Sequence, residues 1–239
     1  MRQLLVADLG SQPYAEALAF QREVARARIA GDVEDDVLLL VEHPPVVTLG
    51  RSAKSAHLLA SPDYLRQQGV EVFEVERGGD VTFHGPGQLV GYPIVDLKQH
   101  RRDLHWYLRQ VEQVLIDALA TYGLRCERNP PYTGVWIDNR KIASIGVHAR
   151  DWVTWHGFAL NVATDLRFFD LIVPCGIQSV RMTSLHAELP DERPSLDQVG
   201  QRVATVAAQL FDLAPRSITG AELASAVHAS TTASARASR

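Results

Sequence analysis

Apolar residues along this chain recur with two periods, one near 3.6 and one of 2, and the switches between them outline its elements. Residues 2–7 read as a short strand. From 14 to 30, Tyr14, Leu18, Ala25 and Ile29 fall on one helical face, with Pro13 at the entrance and Gly31 as the stop. Strand patterns follow at 37–42, 46–49 and 70–76, and again at 88–97. Asp103 is placed to cap a long amphipathic helix ending at Gly123, with a stripe of Leu104, Tyr107, Leu108, Val111, Leu115, Ala118, Leu119 and Tyr122. Period 2 returns at 134–138, 141–148 and 153–162, joined by polar turns at Asn139-Arg140 and Arg150-Asp151. Ser195 and Gln198 have the spacing of a capping box for a last helix running to about Leu213. Strands and helices mix without a steady βαβ rhythm, which predicts the α+β class.

Composition narrows the setting. With 239 residues, 46% hydrophobic and 22% charged, the chain has the balance of a soluble globular protein and the length of one large domain, expected over 1–215. Beyond Pro215 it turns to Ala, Ser, Thr and Arg, which predicts a disordered tail over 216–239. A net charge of -4 argues against bulk attraction to nucleic acid. The longest apolar runs, such as 37–41, fall far short of the roughly 20 residues of a membrane helix, and the N-terminal run is too short for a signal-peptide core. The expected location is the cytoplasm, where Cys126 and Cys175 would be free thiols; a disulfide between them is the less favoured alternative. The nine histidines show no HExxH and no paired Cys/His spacing, so no metal is expected. There is no GxSxG elbow for a serine hydrolase.

Cys175 lies in IVPCGIQ, where Pro174 and Gly176 mark a sharp turn that would bring the thiol to a surface or cleft. An isolated cysteine is more often a small buried hydrophobe, which suits Cys126 in LRCE. A nucleophilic thiol needs a nearby cation, because at its ordinary pKa of about 8.5 little thiolate exists at neutral pH. Lowering that value by about two units takes roughly 2.7 kcal/mol. A lysine ammonium about 4 Å away supplies roughly 4 kcal/mol at an effective dielectric near 20. Lys141, which opens the apolar strand IASIGV, is the candidate, and simple alternation puts it on a face with Ala143, Ile145 and Val147. The stretch 77–87 carries four glycines, Gly78, Gly79, Gly85 and Gly87, which would let backbone N–H groups approach a ligand. It matches neither phosphate-loop pattern, and alone it reads as a bulged hairpin. His84 and His156 read as packed histidines.

RGGDVTFHGPGQLVGY at 77–92, Lys141 in KIASIGV, HGFALNV at 156–162 and PCG at 174–176 closely resemble the bacterial octanoyltransferases of lipoate biosynthesis, the lipoyl(octanoyl) transferase family. The resemblance spans about residues 35–190. It implies a mixed sheet flanked by helices, similar to the catalytic domain of biotin and lipoate protein ligases. It also implies transfer of an octanoyl group from acyl carrier protein to a specific lysine of lipoyl domains or the glycine-cleavage H protein. Cys175 would form the acyl-thioester and Lys141 would activate it. No cofactor is bound in that scheme; the phosphopantetheine arm arrives with the donor. The acyl-binding stretches fall on Arg77, Gly78, Gly79, Asp80, Val81, Thr82, Phe83 and His84, on Ser144, Ile145 and Gly146, and on Gly157, Phe158 and Ala159. N–H groups near Gly176 or Gly78-Gly79 are candidates for the oxyanion, and Lys98, Arg101, Arg102 and Arg109 for steering acidic partners. Alternatives are an ATP-dependent lipoate protein ligase or a lipoyl-domain amidotransferase of the same fold, and a module that only binds these partners.

Overall fold

A computed structural model describes residues 2–178 and 180–237, the side chains of 229–237 excepted. The elements run β1 (Gln3–Ser11), α1 (Tyr14–Ala30), β2 (Asp36–Glu42), β3 (Val46–Leu49), α2 (Pro62–Gln67), β4 (Glu71–Glu74), β5 (Val81–His84), β6 (Gln88–Ile94) and α3 (Leu104–Ala120). They continue through β7 (Val135–Ile137), β8 (Arg140–Arg150), β9 (Val153–Asn161), β10 (Arg181–Met182), α4 (Leu185–Glu188), α5 (Leu196–Leu210), β11 (Ala214–Ser217) and α6 (Gly220–Ala237).

The main sheet has the order β10-β8-β9-β6-β2-β1-β11, with β7 added on β8. Its middle pairs, β8 with β9, β9 with β6 and β6 with β2, are antiparallel, whereas β1 lies parallel to both β2 and β11. This is the mixed sheet that the family resemblance implied, within the α+β class that the sequence pattern predicted. Strand β2 explains why: DVLLLVE is nearly continuous in apolar residues because both of its faces are covered. Leu38 and Leu40 pack with α3 and α5 on one side, and Val37, Leu39 and Val41 with α1 and α6 on the other. A second sheet, β4-β3-β5, covers its own small core of Val47, Leu65, Val81, Phe83 and Phe169.

The predicted caps are present. Gly31 ends α1 in the left-handed region (φ 84°), the Asp103 carboxylate accepts from Trp106 N–H, and Ser195 and Gln198 bond reciprocally at the start of α5. Segment 77–92 is not a hairpin: β5 belongs to the small sheet and β6 to the large one, so this stretch carries the chain from one sheet to the other.

The expected disordered tail is overturned over most of its length. Residues 214–217 pair with β1, and α6 follows with Leu223 and Val227 buried against α1's side of the sheet. Alanine-rich sequence has the highest helix propensity, and Thr219 with Glu222 forms a reciprocal capping box in front of it. Leu223 and Val227, four apart, supply one apolar face. Residues 238 and 239 lie outside the described residues. No helix among the described residues is long and apolar enough to cross a membrane.

Candidate active site

Cys175 sits on a one-turn 3-10 segment, Pro174–Gly176, and takes a left-handed conformation itself (φ 57°, ψ 17°). Gly176 follows in the same region (φ 68°). A non-glycine residue pays roughly 1–3 kcal/mol for this geometry, and here it turns the thiol into a cavity instead of along the chain. Gly176 has no room for a side chain: a Cβ there would lie 2.6 Å from Asp80 Oδ2 and 3.1 Å from His57 Cε1. His57 Nδ1 and Asp80 Oδ2 are 2.7 Å apart, and Val173 N–H donates to the His57 carbonyl, so this pair braces the turn from behind.

Lys141 Nζ lies 3.1 Å from Cys175 Sγ. The lysine is buried, with 1% of its surface exposed, donates also to the Thr133 carbonyl at 3.1 Å and lies 5.4 Å from the Trp136 ring centroid. Ser144 Oγ is 3.7 Å from the sulfur. Burial alone would push the Cys175 thiol up; the Lys141 charge and hydrogen bond, with the Ser144 hydroxyl and the Arg77 charge, reverse this and hold it below the ordinary thiol range. Arg77 is buried too, and its donors go to neutral oxygens, Thr48 O and Oγ1 and Gly78 O. Two cations therefore face one sulfur.

Simple alternation misplaces the neighbours of Lys141. On β8, Lys141 pairs with Trp136 and Ala143 with Val135, so one extra residue, Ile142, bulges out of the ladder. Beyond it the faces are exchanged: Ala143 and Ile145 join the α3 side of the core, and Ser144 comes around beside Lys141 at the thiol. The bulge is what brings a lysine and a serine three residues apart to one sulfur.

The cavity in front of the dyad holds about 510 Å³. Arg77, Gly78, Gly79, Asp80, Thr82, His84, Ser144, Ile145, Gly146, Gly157, Phe158 and Ala159 all border it with Lys141 and Cys175. Val81 and Phe83 do not. They alternate with Thr82 and His84 on β5 and pack in the small sheet's core, so the structure places them behind the cavity wall and not on it. Phe158 touches the cavity, while its ring packs so closely on Gly91 that a Cβ there would lie 2.1 Å away. Gly146 also lies close to Arg77 and Gly78, a Cβ there lying 2.7 Å from Gly78 O.

His84 is buried, bonded to Gln88 Oε1 at 2.8 Å, and burial lowers its pKa to about 3; it is a neutral packed histidine that also borders the cavity. His156 also borders the cavity from β9, its ring held low by burial, and its backbone N–H donates to Gln21 Oε1. Sequence reasoning missed Tyr14, Tyr92, Leu108, Tyr132 and Thr133, which also border the cavity. Thr133 acts through its carbonyl, which no residue-type pattern reveals. Two of the oxyanion candidates are spent: Gly78 N–H donates to Val147 O and Gly176 N–H to Val173 O. Gly79, with φ 86°, remains at the cavity wall. Three of the four predicted docking cations are engaged locally, Lys98 with Asp96, Arg101 with Asp103 and Arg109 with Glu112. Among the described residues no group of three or more His, Cys, Asp or Glu could hold a metal ion.

The sequence profile of the lipoyl protein ligase A/B catalytic domain matches residues 13–208. The chain belongs to this family. Within the lipoyl protein ligase A/B family it is 50% identical over 226 residues to the octanoyltransferase of Solibacter usitatus, covering 95% of this chain and 100% of that relative. It is 57% identical over 187 residues to that of Rubrobacter xylanophilus, covering 77% and 83%. Among solved structures, lipoate-protein ligase A bound with ATP superposes with a TM-score of 0.78 at 19% identity, over 95% of this chain and 93% of that one. The bi-partite lipoate protein ligase of Thermoplasma acidophilum, solved in work on that ligase and its E2 lipoyl domain, gives 0.73 at 17%, over 95% and 90%. The expected fold is therefore that of the lipoate protein ligases.

Proposed function

We propose that this protein is an octanoyltransferase that moves an octanoyl group from acyl carrier protein to a lysine of a lipoyl domain, through a thioester on Cys175. The observation that carries the reading is the 3.1 Å approach of Lys141 Nζ to Cys175 Sγ at the wall of the cavity. At that distance the attraction is worth roughly 5 kcal/mol at an effective dielectric near 20, well above the roughly 2.7 kcal/mol needed to lower a thiol by two pKa units.

The thiolate attacks the thioester carbonyl of the donor, and the bond from that carbonyl carbon to the donor sulfur breaks. The departing thiolate takes the proton that Lys141 held, leaving an acylated Cys175 beside a neutral amine. When the lipoyl-domain lysine attacks the new thioester, its proton passes to Lys141 as the carbonyl carbon's bond to Cys175 breaks. The acceptor lysine, an ammonium when free, gives one proton to solvent before it attacks and the second to Lys141, so amide product, thiolate and ammonium result and the starting ion pair is restored.

Relatives at 50% and 57% identity named octanoyltransferase support this chemistry over adenylate formation, since the ligases are similar to this chain at 19% or less. Mixing the protein with octanoyl-loaded carrier and a lipoyl domain, with nucleotide removed by apyrase, tests the choice. Octanoylated lipoyl domain is the expected product. A strict requirement for ATP would assign the chain to the ligase alternative, and binding of both partners with no acylation would make it a docking module.

A further inference from the structure

Glu112 is a carboxylate in the middle of α3 with 0% of its surface exposed, and the chemistry described above makes no use of it. Its two oxygens are divided between different tasks. Oε1 accepts the N–H of Gly134 at 3.0 Å. Oε2 accepts from Arg109 on its own helix at 2.6 Å and from Arg128 Nε at 2.9 Å. Arg128 is fastened further to Arg109 O and Gln113 Oε1 through Nη2, at 3.0 and 2.8 Å. One buried carboxylate thus grips both ends of the 128–134 loop.

That loop ends on the dyad. Thr133, one residue before the Gly134 N–H that Glu112 holds, supplies the carbonyl that receives Lys141 Nζ at 3.1 Å. Gly134 itself adopts φ 141°, and a Cβ there would lie 2.6 Å from Lys141 Cε and 3.2 Å from Nζ, so its backbone forms the wall against which the lysine rests. Pro131, Tyr132 and Thr133 also border the cavity, so the loop contributes to its wall as well as to the lysine's seat. A lysine has four rotatable bonds, and a single hydrogen bond to sulfur does not fix where the ammonium stands. Fixing it takes a second acceptor that is itself immobile.

We propose that Glu112 is a positioning residue for Lys141: by holding Gly134 N–H and Arg128 it immobilises the loop whose Thr133 carbonyl and Gly134 backbone set where the ammonium meets the sulfur. The inference rests on the Cys175–Lys141 reading of the site, and its test can fail separately from that reading.

The test follows the rate of Cys175 alkylation by iodoacetamide as a function of pH, in the full-length protein. It needs neither donor nor acceptor. Glu112→Ala is expected to move the midpoint of that profile upward by about half to one unit, which lowers the rate at neutral pH by about 3- to 10-fold. Arg128→Ala, at a third-exposed position, is expected to move it the same way by less, and Arg128→Lys to recover part of the loss. Arg109→Ala removes a side chain that bonds the same carboxylate but not the loop, keeps the Arg109 carbonyl that Arg128 uses, and is expected to leave the midpoint in place. Should Glu112→Ala fail to fold, as judged by circular dichroism, the Arg128 and Arg109 variants decide. A wild-type midpoint in folded Glu112→Ala, or in Arg128→Ala, would overturn the proposal, as would an equal shift in Arg109→Ala. An ordinary thiol midpoint in the wild-type protein would instead sink the dyad itself.

Discussion

The two cysteines of this chain are both free and both partly buried, yet their surroundings drive them in opposite directions. Cys126 packs at the edge of the main core, where burial and the nearby Glu188 charge push its thiol up to about 12. Cys175 meets the same desolvation and overcomes it, because a lysine and an arginine face it and a serine hydroxyl lies beside it. Burial alone therefore says nothing about reactivity. What distinguishes a nucleophile from a packing residue is which charges share its pocket, and here those charges are held by elements remote in sequence: Lys141 by a bulged strand, Arg77 by a loop between two sheets, Cys175 by a left-handed turn.

The contrast can be broken most decisively by pH-dependent alkylation resolved by peptide. The Cys175 thiolate is present above its lowered pKa and is lost as pH falls through it, whereas Cys126 stays protonated until far into the alkaline range. At neutral pH iodoacetamide is expected to modify Cys175 faster by about 10³-fold or more. Comparable rates would contradict the electrostatic account. A smaller effect is expected from Lys141→Ala, which should slow acylation and transfer alike by about 10²-fold in single-turnover measurements, since one group serves both steps. A loss confined to one step would show that another group moves the second proton. Gly176→Ala forces a Cβ against Asp80 and His57 at positive φ, and should lower stability by roughly 1–3 kcal/mol in urea titration while displacing the nucleophile. The mildest change is Ser144→Ala, which removes a hydroxyl 3.7 Å from the sulfur and should reduce alkylation at neutral pH about 2- to 5-fold.

Much of the scaffold was legible in the chain because its elements carry local signals. The bounds of α1 and β3 and the Ser195 capping box follow from periodicity and caps that need no distant partner. The C-terminal helix was misread for the opposite reason: its Ala and Ser content looks like a tail, and only Leu223, Val227 and the Thr219-Glu222 box disclose a packed helix. In the site, the reactive pair could be named from residue types and from the resemblance. The face of β8 could not, because a bulge is a property of the ladder and Ile142 looks like any other strand residue. Val81 and Phe83 were carried along by a contiguous motif whose alternate positions face the cavity and the small core. Thr133 and Glu112 left no trace, since one acts through a carbonyl and the other through a loop about twenty residues away.

The most direct measurement is mass spectrometry of the protein after brief incubation with octanoyl-loaded acyl carrier protein, with the acylated residue mapped in wild type, Cys126→Ala and Cys175→Ala. The account predicts one octanoyl group on Cys175 in the first two proteins, discharged on adding a lipoyl domain, and none in the third. Octanoylated lipoyl domain formed at the normal rate by Cys175→Ala, or an adduct on any other residue that is competent for transfer, would contradict it.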